Sequence, residues 1–397
     1  MVVSRVAYIK CGDVAGEAAR YLESGSKALT SSPDAFTHAV LDVRAGRPAL
    51  LLGAHGSGEC WRRGNTQVID LGSGFAHRPM RMLVDLTALV RTLRRFRPTE
   101  VVCGASGPMF WATALAARLG SAKLVYCQHV RLNEPEGRFA RRLRKWFDRA
   151  LIRRADVVLA HGPYLEAQLR EAGVPRERIV RFEMAFDGDA EDLGPRSKGG
   201  GRYVLFVGRM ERLKGVFDLL EACEPLLRRD PQLRLKFAGA GSVGPEVEAR
   251  VAASTLGRQI DVLGAVPHPA VAELMRGAEV VVTPTRQAFP EGRCMAALEA
   301  LVYGTPVIAP DFGPFPYLID DGVTGLLYAP DSVAELEEAL RRVLSDERLR
   351  AALRQGARAA GAGLRHPACT FVDALRGALD GAAHRVAGVC PGGEAAR

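Results

Sequence analysis

Tyr203-Val-Leu-Phe-Val-Gly-Arg-Met-Glu-Arg-Leu-Lys-Gly-Val-Phe-Asp-Leu-Leu220 holds the clearest topological signal in this chain. An unbroken apolar run ends at Gly208, a short polar loop follows, and an amphipathic pattern begins near Gly215. The continuous run predicts a strand at 203–207 covered on both faces, as in parallel sheets, and the pattern after it predicts a helix at 215–229. Strand, glycine turn and helix in that order open a doubly wound sheet. Glycine lets the backbone approach a ligand closely, the helix start offers free N–H groups, and Arg209 and Lys214 add fixed charge. The set suits a diphosphate. The competing reading is a plain turn with two solvated cations.

The same alternation continues on both sides. Downstream, strands are predicted at 234–239, 260–263, 279–283 and 306–309, separated by helices at 244–256, 268–277 and 292–303. Helices at 331–345 and 347–360 follow. Upstream, strands are predicted at 4–10, 49–53, 67–71, 100–104, 122–128 and 156–160, with helices at 15–28, 78–97, 108–119, 136–154 and 163–172. Gly194-Pro-Arg-Ser-Lys-Gly-Gly-Gly201 has no periodicity and reads as a linker. A chain of 397 residues is too long for one core. The expected architecture is therefore α/β: two Rossmann-like doubly wound domains, 1–193 and 201–365, facing a central cleft. A helix at 368–386 is expected to pack back on the first domain, and disorder is expected from Cys390 onward.

Composition is that of an ordinary globular protein, 48% hydrophobic and 25% charged. No stretch approaches the roughly 20 apolar residues of a membrane span, and Met1 to Lys10 reads as a strand rather than a secretory signal. A cytoplasmic address is expected, extending to a peripheral position on the inner membrane face. The eight cysteines form no C-x-x-C pair, and no His/Cys cluster has metal-ligand spacing. Reduced thiols are expected, with Cys103 and Cys127 inside strands, and no metal.

The net charge of +9 is uneven: residues 1–190 hold 29 Lys+Arg against 19 Asp+Glu, the remainder 25 against 26. An anionic partner is to be sought in the first half. There, residues Arg138–Arg154 carry eight cations, while Phe139, Leu143, Trp146, Phe147 and Ala150 share one helical face. Either that face packs into the core, or it docks on anionic phospholipid. Nucleic acid is not expected, since no binding module or stacking motif accompanies the charge.

Further chemistry lies in Phe289-Pro-Glu-Gly-Arg-Cys-Met-Ala-Ala-Leu-Glu-Ala300. If one helix covers Glu291 and Glu299, they stand about 12 Å apart along its axis. Paired carboxylates of a retaining glycosidase need roughly 5.5 Å. The two acids read instead as separate anchors on a long ligand. Glu299 has apolar neighbours and needs hydrogen-bond donors, which sugar hydroxyls supply. The plain alternative is a helix-start acid and a surface glutamate.

Four motifs occur in order: G-R-x4-K-G at 208–215, E-x7-E at 291–299, Gly304-Thr-Pro-Val-Ile-Ala309 and Asp321-Gly-Val-Thr-Gly-Leu-Leu327. Together they resemble the retaining GT-B glycosyltransferases of family 4, the glycosyl transferases group 1. The likeness is close over residues 200–330 and one of layout alone before them. It implies transfer of a sugar from a nucleoside-diphosphate sugar to a hydroxyl of a glycan, a lipid-linked or another small-molecule acceptor. By it, Arg209 and Lys214 bind the diphosphate and stabilise the leaving group, Glu299 bonds the ribose, and Glu291 contacts the transferred sugar. Gly208, Gly292 and Leu298 complete the donor set. By the same likeness His129, ending the strand within Lys123-Leu-Val-Tyr-Cys-Gln-His-Val130, faces the transferred sugar, the plain alternative being a structural histidine; Gly12 and Gly16, after the first strand, are read as a glycine loop toward the diphosphate, or as a plain turn. A guanidinium and an ammonium meet the departing charge without a metal, so no cofactor is implied beyond the sugar nucleotide. The sugar passes through an oxocarbenium-like state, with attack from the leaving-group side.

Some positions depart from that family. Cys294 replaces a glycine, Glu183-Met-Ala-Phe-Asp187 replaces a Pro-Asn-Gly-Val-Asp segment, and Tyr317 stands where relatives often carry glutamate. His161, at a position relatives give to a small hydroxyl residue, is expected to be structural. Two other readings stay open: an epimerase of the same architecture, which needs acid/base carboxylates not identifiable here, and a non-catalytic binding subunit, against which Arg209, Lys214, Glu291 and Glu299 stand. A dinucleotide oxidoreductase is more distant, because Gly239-Ala-Gly241 lacks the third glycine of G-x-G-x-x-G.

Overall fold

A computed structural model describes residues 4–24, 34–44, 46–54, 58–72, 79–132, 139–186 and 201–381, without the side chains of 79–83 and 139–142. Residues 194–200 of the expected linker, the tail from Cys390, and the ends of the helices expected at 15–28 and 368–386 lie outside the described residues. The chain divides into two compact units, Met1–Asp187 with Pro367–Arg397, and Gly188–His366.

In the first unit the chain runs β1 (Val6–Cys11), α1 (Val14–Ser24), α2 (Ala35–Val43), β2 (Ala49–Ala54), β3 (Cys60–Arg63), β4 (Thr66–Asp70) and α3 (Pro79–Phe96). It continues through β5 (Glu100–Cys103), α4 (Pro108–Leu119), β6 (Lys123–Gln128), α5 (Phe139–Ile152), β7 (Val157–His161), α6 (Gly162–Glu171) and β8 (Ile179–Phe182). The described strands form one sheet in the order β3-β4-β2-β1-β5-β6-β7-β8. All pairings are parallel except β3 on β4. Ile9, Leu50, Leu52, Val101 and Phe110 anchor its core, each no more than 1% exposed. At about 1.5–3 kcal/mol per fully buried large side chain, such runs supply the drive for the layered packing.

The second unit contains β9 (Arg202–Val207), α7 (Val216–Arg229), β10 (Leu233–Ala238), α8 (Gly244–Ala252), β11 (Ile260–Val262), α9 (His268–Gly277), β12 (Val280–Val282) and α10 (Met295–Val302). β13 (Val307–Pro310), β14 (Gly325–Tyr328), α11 (Val333–Ser345) and α12 (Glu347–Arg365) complete it. Its wholly parallel sheet is ordered β11-β10-β9-β12-β13-β14. Alternate residues of single strands enter separate cores. Val204, Phe206, Val280, Val282 and Ile308 join one; Tyr203, Leu205, Val281, Val307 and Ala309 join the other. Both faces are thus covered, which explains the unbroken apolar runs. The strand order reverses between β9 and β12, and the crevice at such a reversal opens at the strands' carboxyl ends.

The last described helix, α13 (Phe371–Leu379), begins with a capping box of Thr370 and Asp373 and packs on α2, β7 and β8. Four elements are absent from the expected pattern. β3 is polar and exposed, β8 carries Arg181 in a four-residue run, β14 follows a motif rather than a periodic stretch, and α2 is mostly buried and lacks an amphipathic stripe. The helix expected from 292 starts at Met295, so Glu291 lies ahead of it and no single helix covers both acids. All seven cysteines of the described residues are free; Cys11 and Cys60 are exposed and the others buried. No helix among the described residues is long and apolar enough to cross a membrane.

Gly239-Ala-Gly241, puzzling as a nucleotide fingerprint, has a packing role. The loop after β10 lies directly on the loop after β9: Met210 donates its N–H to the Ala240 carbonyl at 3.0 Å, and Val243 donates to the Met210 carbonyl at 3.0 Å. A Cβ on Gly239 would sit 1.9 Å from the Gly208 oxygen, at a backbone φ of 143°. Gly239→Ala should therefore lower stability by at least about 2 kcal/mol, read from the urea midpoint of the second unit. Gly363→Ala, in α12 with nothing within 4 Å of the added carbon, should raise it by about 0.5–1 kcal/mol.

Candidate functional site

At the carboxyl ends of β9 and β12 the second unit has a pocket of about 260 Å³, whose wall includes Gly208, Arg209, Lys214, Thr285, Glu291 and Arg293. Three cations and one carboxylate make it electropositive. Local backbone geometry delivers them. Gly208 follows the last residue of β9, and a 3-10 turn, Arg212–Lys214, leads into α7 through Gly215, whose φ of 71° is left-handed. A Cβ on Gly215 would lie 1.8 Å from the Pro284 carbonyl oxygen, just beyond β12. Only glycine allows the two strand exits to touch and so sets Lys214 over the residues that follow β12.

The Lys214 ammonium pairs with Glu291 at 2.5 Å and lies 4.1 Å from the centre of the Phe289 ring. Side-chain exposures of 15% and 9% make this a nearly desolvated pair. Thr285 donates a longer bond, 3.4 Å, to the same carboxylate oxygen. Arg209 bonds Glu211 at 2.6 Å yet leaves 66% of its side chain exposed, 5.8 Å from the Phe289 ring. Arg293, 7% exposed, is a third wall cation that sequence reasoning did not single out; its place directly after Pro290-Glu291-Gly292 was the available signal. Cys294 also lines the pocket. Burial, aided by the Glu291 charge, pushes its thiol up to about 12, so it presents a neutral, compact group.

Of the residues assigned to the donor by resemblance, Gly208, Arg209, Lys214 and Glu291 come together on this wall. Gly292, Leu298 and Glu299 are buried in the same segment but are not part of it. Glu299, 6% exposed, sits one turn before Tyr303, whose phenol burial chiefly and the Glu299 charge secondarily raise.

Gly12 and His129 belong to the first unit. Gly12 follows β1 with φ 121°, donating its N–H to the Ala54 carbonyl at 2.7 Å. Gly16 donates its N–H to Asp13 at 3.0 Å. Nearby, Lys10 grips the buried Glu17 with both oxygens at 2.7 Å, and Thr37 donates to the same carboxylate at 2.5 Å. None of these three was legible as a site residue. His129 follows β6, its ring centre 4.3 Å from that of Phe36 in an edge-on contact and its ring close over Gly104, where a Cβ would be 3.4 Å from Nε2. Burial, and then the Lys10 charge, hold its pKa down at about 4, so the imidazole is neutral near pH 7. His161 stacks on Phe182 at 4.9 Å and stands at the N-cap position of α6 without a side-chain capping bond.

Two parallel-sheet α/β units in series, the second with a cationic pocket where its strand order reverses, define the GT-B class. The family model for glycosyl transferases group 1 matches residues 191–360, and that for the glycosyl transferase 4-like domain matches residues 32–184. The second unit thus carries the glycosyl transferases group 1 domain and the first the glycosyl transferase 4-like domain. It is 30% identical over 224 residues to an alpha-D-kanosaminyltransferase of Streptomyces kanamyceticus, covering 54% of this chain and 57% of that protein. It is 31% identical over 250 residues to a D-inositol 3-phosphate glycosyltransferase of Nocardia farcinica, covering 58% and 55%. The chain thus spans a little over half the length of these curated relatives. Among solved structures, Anabaena Alr3699/HepE in complex with UDP-glucose superimposes with a TM-score of 0.63 at 18% identity, over 97% of this chain and 98% of that one.

The depressed pKa of His129 has a thermodynamic consequence. Its unfolded value is near 6.5 and its folded value about 4, so the unfolded chain binds the extra proton first as pH falls. Stability is fully present above pH 6.5 and declines toward pH 4, by up to about 1.4 kcal/mol per pH unit for this group. Urea unfolding across that range should show a shallower decline in His129→Gln than in the parent.

Proposed function

We propose that this protein is a retaining glycosyltransferase that moves a sugar from a nucleoside-diphosphate donor to an acceptor hydroxyl. The observation that carries the reading is the cationic pocket at the β9–β12 reversal, with Lys214 held against Glu291. A nucleoside diphosphate is a doubly charged leaving group, and donors preorganised around it stabilise the charge that develops. In the reaction the bond between the anomeric carbon and the β-phosphate oxygen breaks, its electron pair remaining on phosphate. The acceptor oxygen bonds the same carbon from the same face, and its proton passes to the leaving phosphate.

Each side chain has a part in this scheme. Arg209, exposed and fork-shaped, takes the phosphates in bidentate fashion. Lys214 exchanges Glu291 for the diphosphate. Glu291, released from its partner, accepts hydrogen bonds from hydroxyls of the transferred sugar. Glu299 is assigned to the ribose, and the neutral His129 is suited to bonding a sugar hydroxyl without adding charge. The two cations take the part a metal plays in other transferases. UDP-glucose in the HepE structure and inositol phosphate in the name of the Nocardia relative support a uridine donor and a small hydroxylated acceptor.

UDP should raise the melting temperature of the protein. Lys214→Gln should weaken UDP binding about thirtyfold or more, the loss of one charge-assisted contact of about 2 kcal/mol, and so erase most of that shift. Glu291→Gln should keep the UDP shift, since it leaves Lys214 free, yet lose transfer. An unchanged shift in Lys214→Gln refutes the diphosphate assignment. Transfer should persist in a chelator, and a product that inverts the donor's anomeric configuration refutes the retaining scheme.

A further inference from the structure

The apolar face of α5, one of whose readings buried it in the core, is turned outward. Leu143, Trp146 and Phe147 are 48%, 59% and 43% exposed. The inward residues are instead Ile152, 1% exposed, and Asp148, 8% exposed, which accepts hydrogen bonds from Trp111 Nε1 at 2.6 Å and from the Gly107 N–H at 3.2 Å. Those two bonds tie α5 to α4. The patch crosses the junction, because the Phe147 ring lies 5.5 Å from Trp111. Leu115 and Leu119 follow Trp111 at four-residue intervals along α4, hence on one face, and are 53% and 61% exposed. Five large apolar side chains thus stand in solvent along two packed helices, more than a soluble surface normally leaves uncovered without a partner.

The charge around the patch says what that partner is. α4 and α5 carry Arg118, Arg141, Arg142, Arg144, Lys145 and Arg149 against a single acid, Asp148. That acid is turned into the α4 contact and adds no negative charge to the outer face. Arg118 and Arg144 are exposed. Among the described residues of α4 and α5, aromatic and leucine side chains are accompanied by exposed cations and by no exposed carboxylate, which matches a bilayer interface: the apolar groups enter the acyl boundary while the cations meet lipid phosphates. A second copy of the chain offers no anionic complement here, since its matching face would carry the same positive charge.

We propose that the α4–α5 face of the first unit docks on an anionic phospholipid bilayer. This goes beyond the transferase reading and stands or falls separately from it, because it involves no residue of the donor pocket. The test is flotation of the full chain with vesicles of phosphatidylcholine alone and of phosphatidylcholine mixed with phosphatidylglycerol. Binding should require phosphatidylglycerol, weaken with salt, and shift tryptophan emission to shorter wavelength. Arg118→Gln with Arg144→Gln should weaken partition onto the mixed vesicles about thirtyfold, the loss of two surface cations. Leu143→Ser with Trp146→Ser should abolish both partition and the emission shift. Both variants alter exposed residues, and an unchanged melting temperature without ligand checks that each is folded. Failure of the parent to float with mixed vesicles overturns the proposal. So does retained binding in Leu143→Ser/Trp146→Ser, or sedimentation showing a dimer that this variant dissolves.

Discussion

An ammonium and a carboxylate removed from water together set the character of the second unit. Lys214 and Glu291 each lose hydration in the pocket wall, and their attraction offsets that loss only while they remain paired or find a substitute partner. Removing one leaves an uncompensated charge; exchanging one for a phosphate does not. The rest of the pocket follows from the need to hold these groups in register. Gly215 permits the approach to Pro284, the 3-10 turn presents the lysine, and the turn before α10 presents the glutamate. On the proposed function, a donor with several negative oxygens would take the place of Glu291 at Lys214 and leave that carboxylate to neutral hydroxyls.

The strand order makes this geometry possible. In the second sheet β9 and β12 are neighbours, but their following connections leave toward opposite faces, so the backbone parts at their carboxyl ends. The pocket occupies that parting. Loop-on-loop contact between Gly208–Met210 and Gly239–Gly241 braces one side of it, and the buried α10 segment closes the other. A pocket built from strand exits inherits the rigidity of the sheet beneath, which suits a site that stabilises charge by preorganisation.

Most of this was legible in the amino-acid sequence, for a physical reason. Parallel strands buried on both faces must be apolar throughout, so runs such as Tyr203–Val207 and Lys123–Gln128 announce themselves. β3 did not, because an exposed edge strand is free to carry arginine, and β8 did not, because its short buried run is interrupted by Arg181. α2 was missed because burial on most sides erases the polar–apolar period. Arg209, Lys214 and Glu291 were readable as a charged set beside a glycine turn. Arg293 and the Lys10–Glu17–Thr37 cluster were not, since burial of a charged side chain depends on distant neighbours that local spacing does not reveal. The face of α5 shows a subtler limit: periodicity identified its apolar stripe, but only packing showed that Asp148, and not Phe147, turns inward.

The partition of thiols between surface and interior has a practical side. Among the described residues, Cys103, Cys127, Cys223, Cys294 and Cys369 are sealed from solvent, whereas Cys11 and Cys60 are open to it. Burial also keeps Cys103 and Cys294 protonated to about pH 12, out of reach of alkylating dyes in the native state. Among these seven thiols, a fluorophore attached to native protein would therefore land on Cys11 or Cys60 of the first unit, with the Cys11 label adjoining Gly12 and reporting on the loop that follows β1.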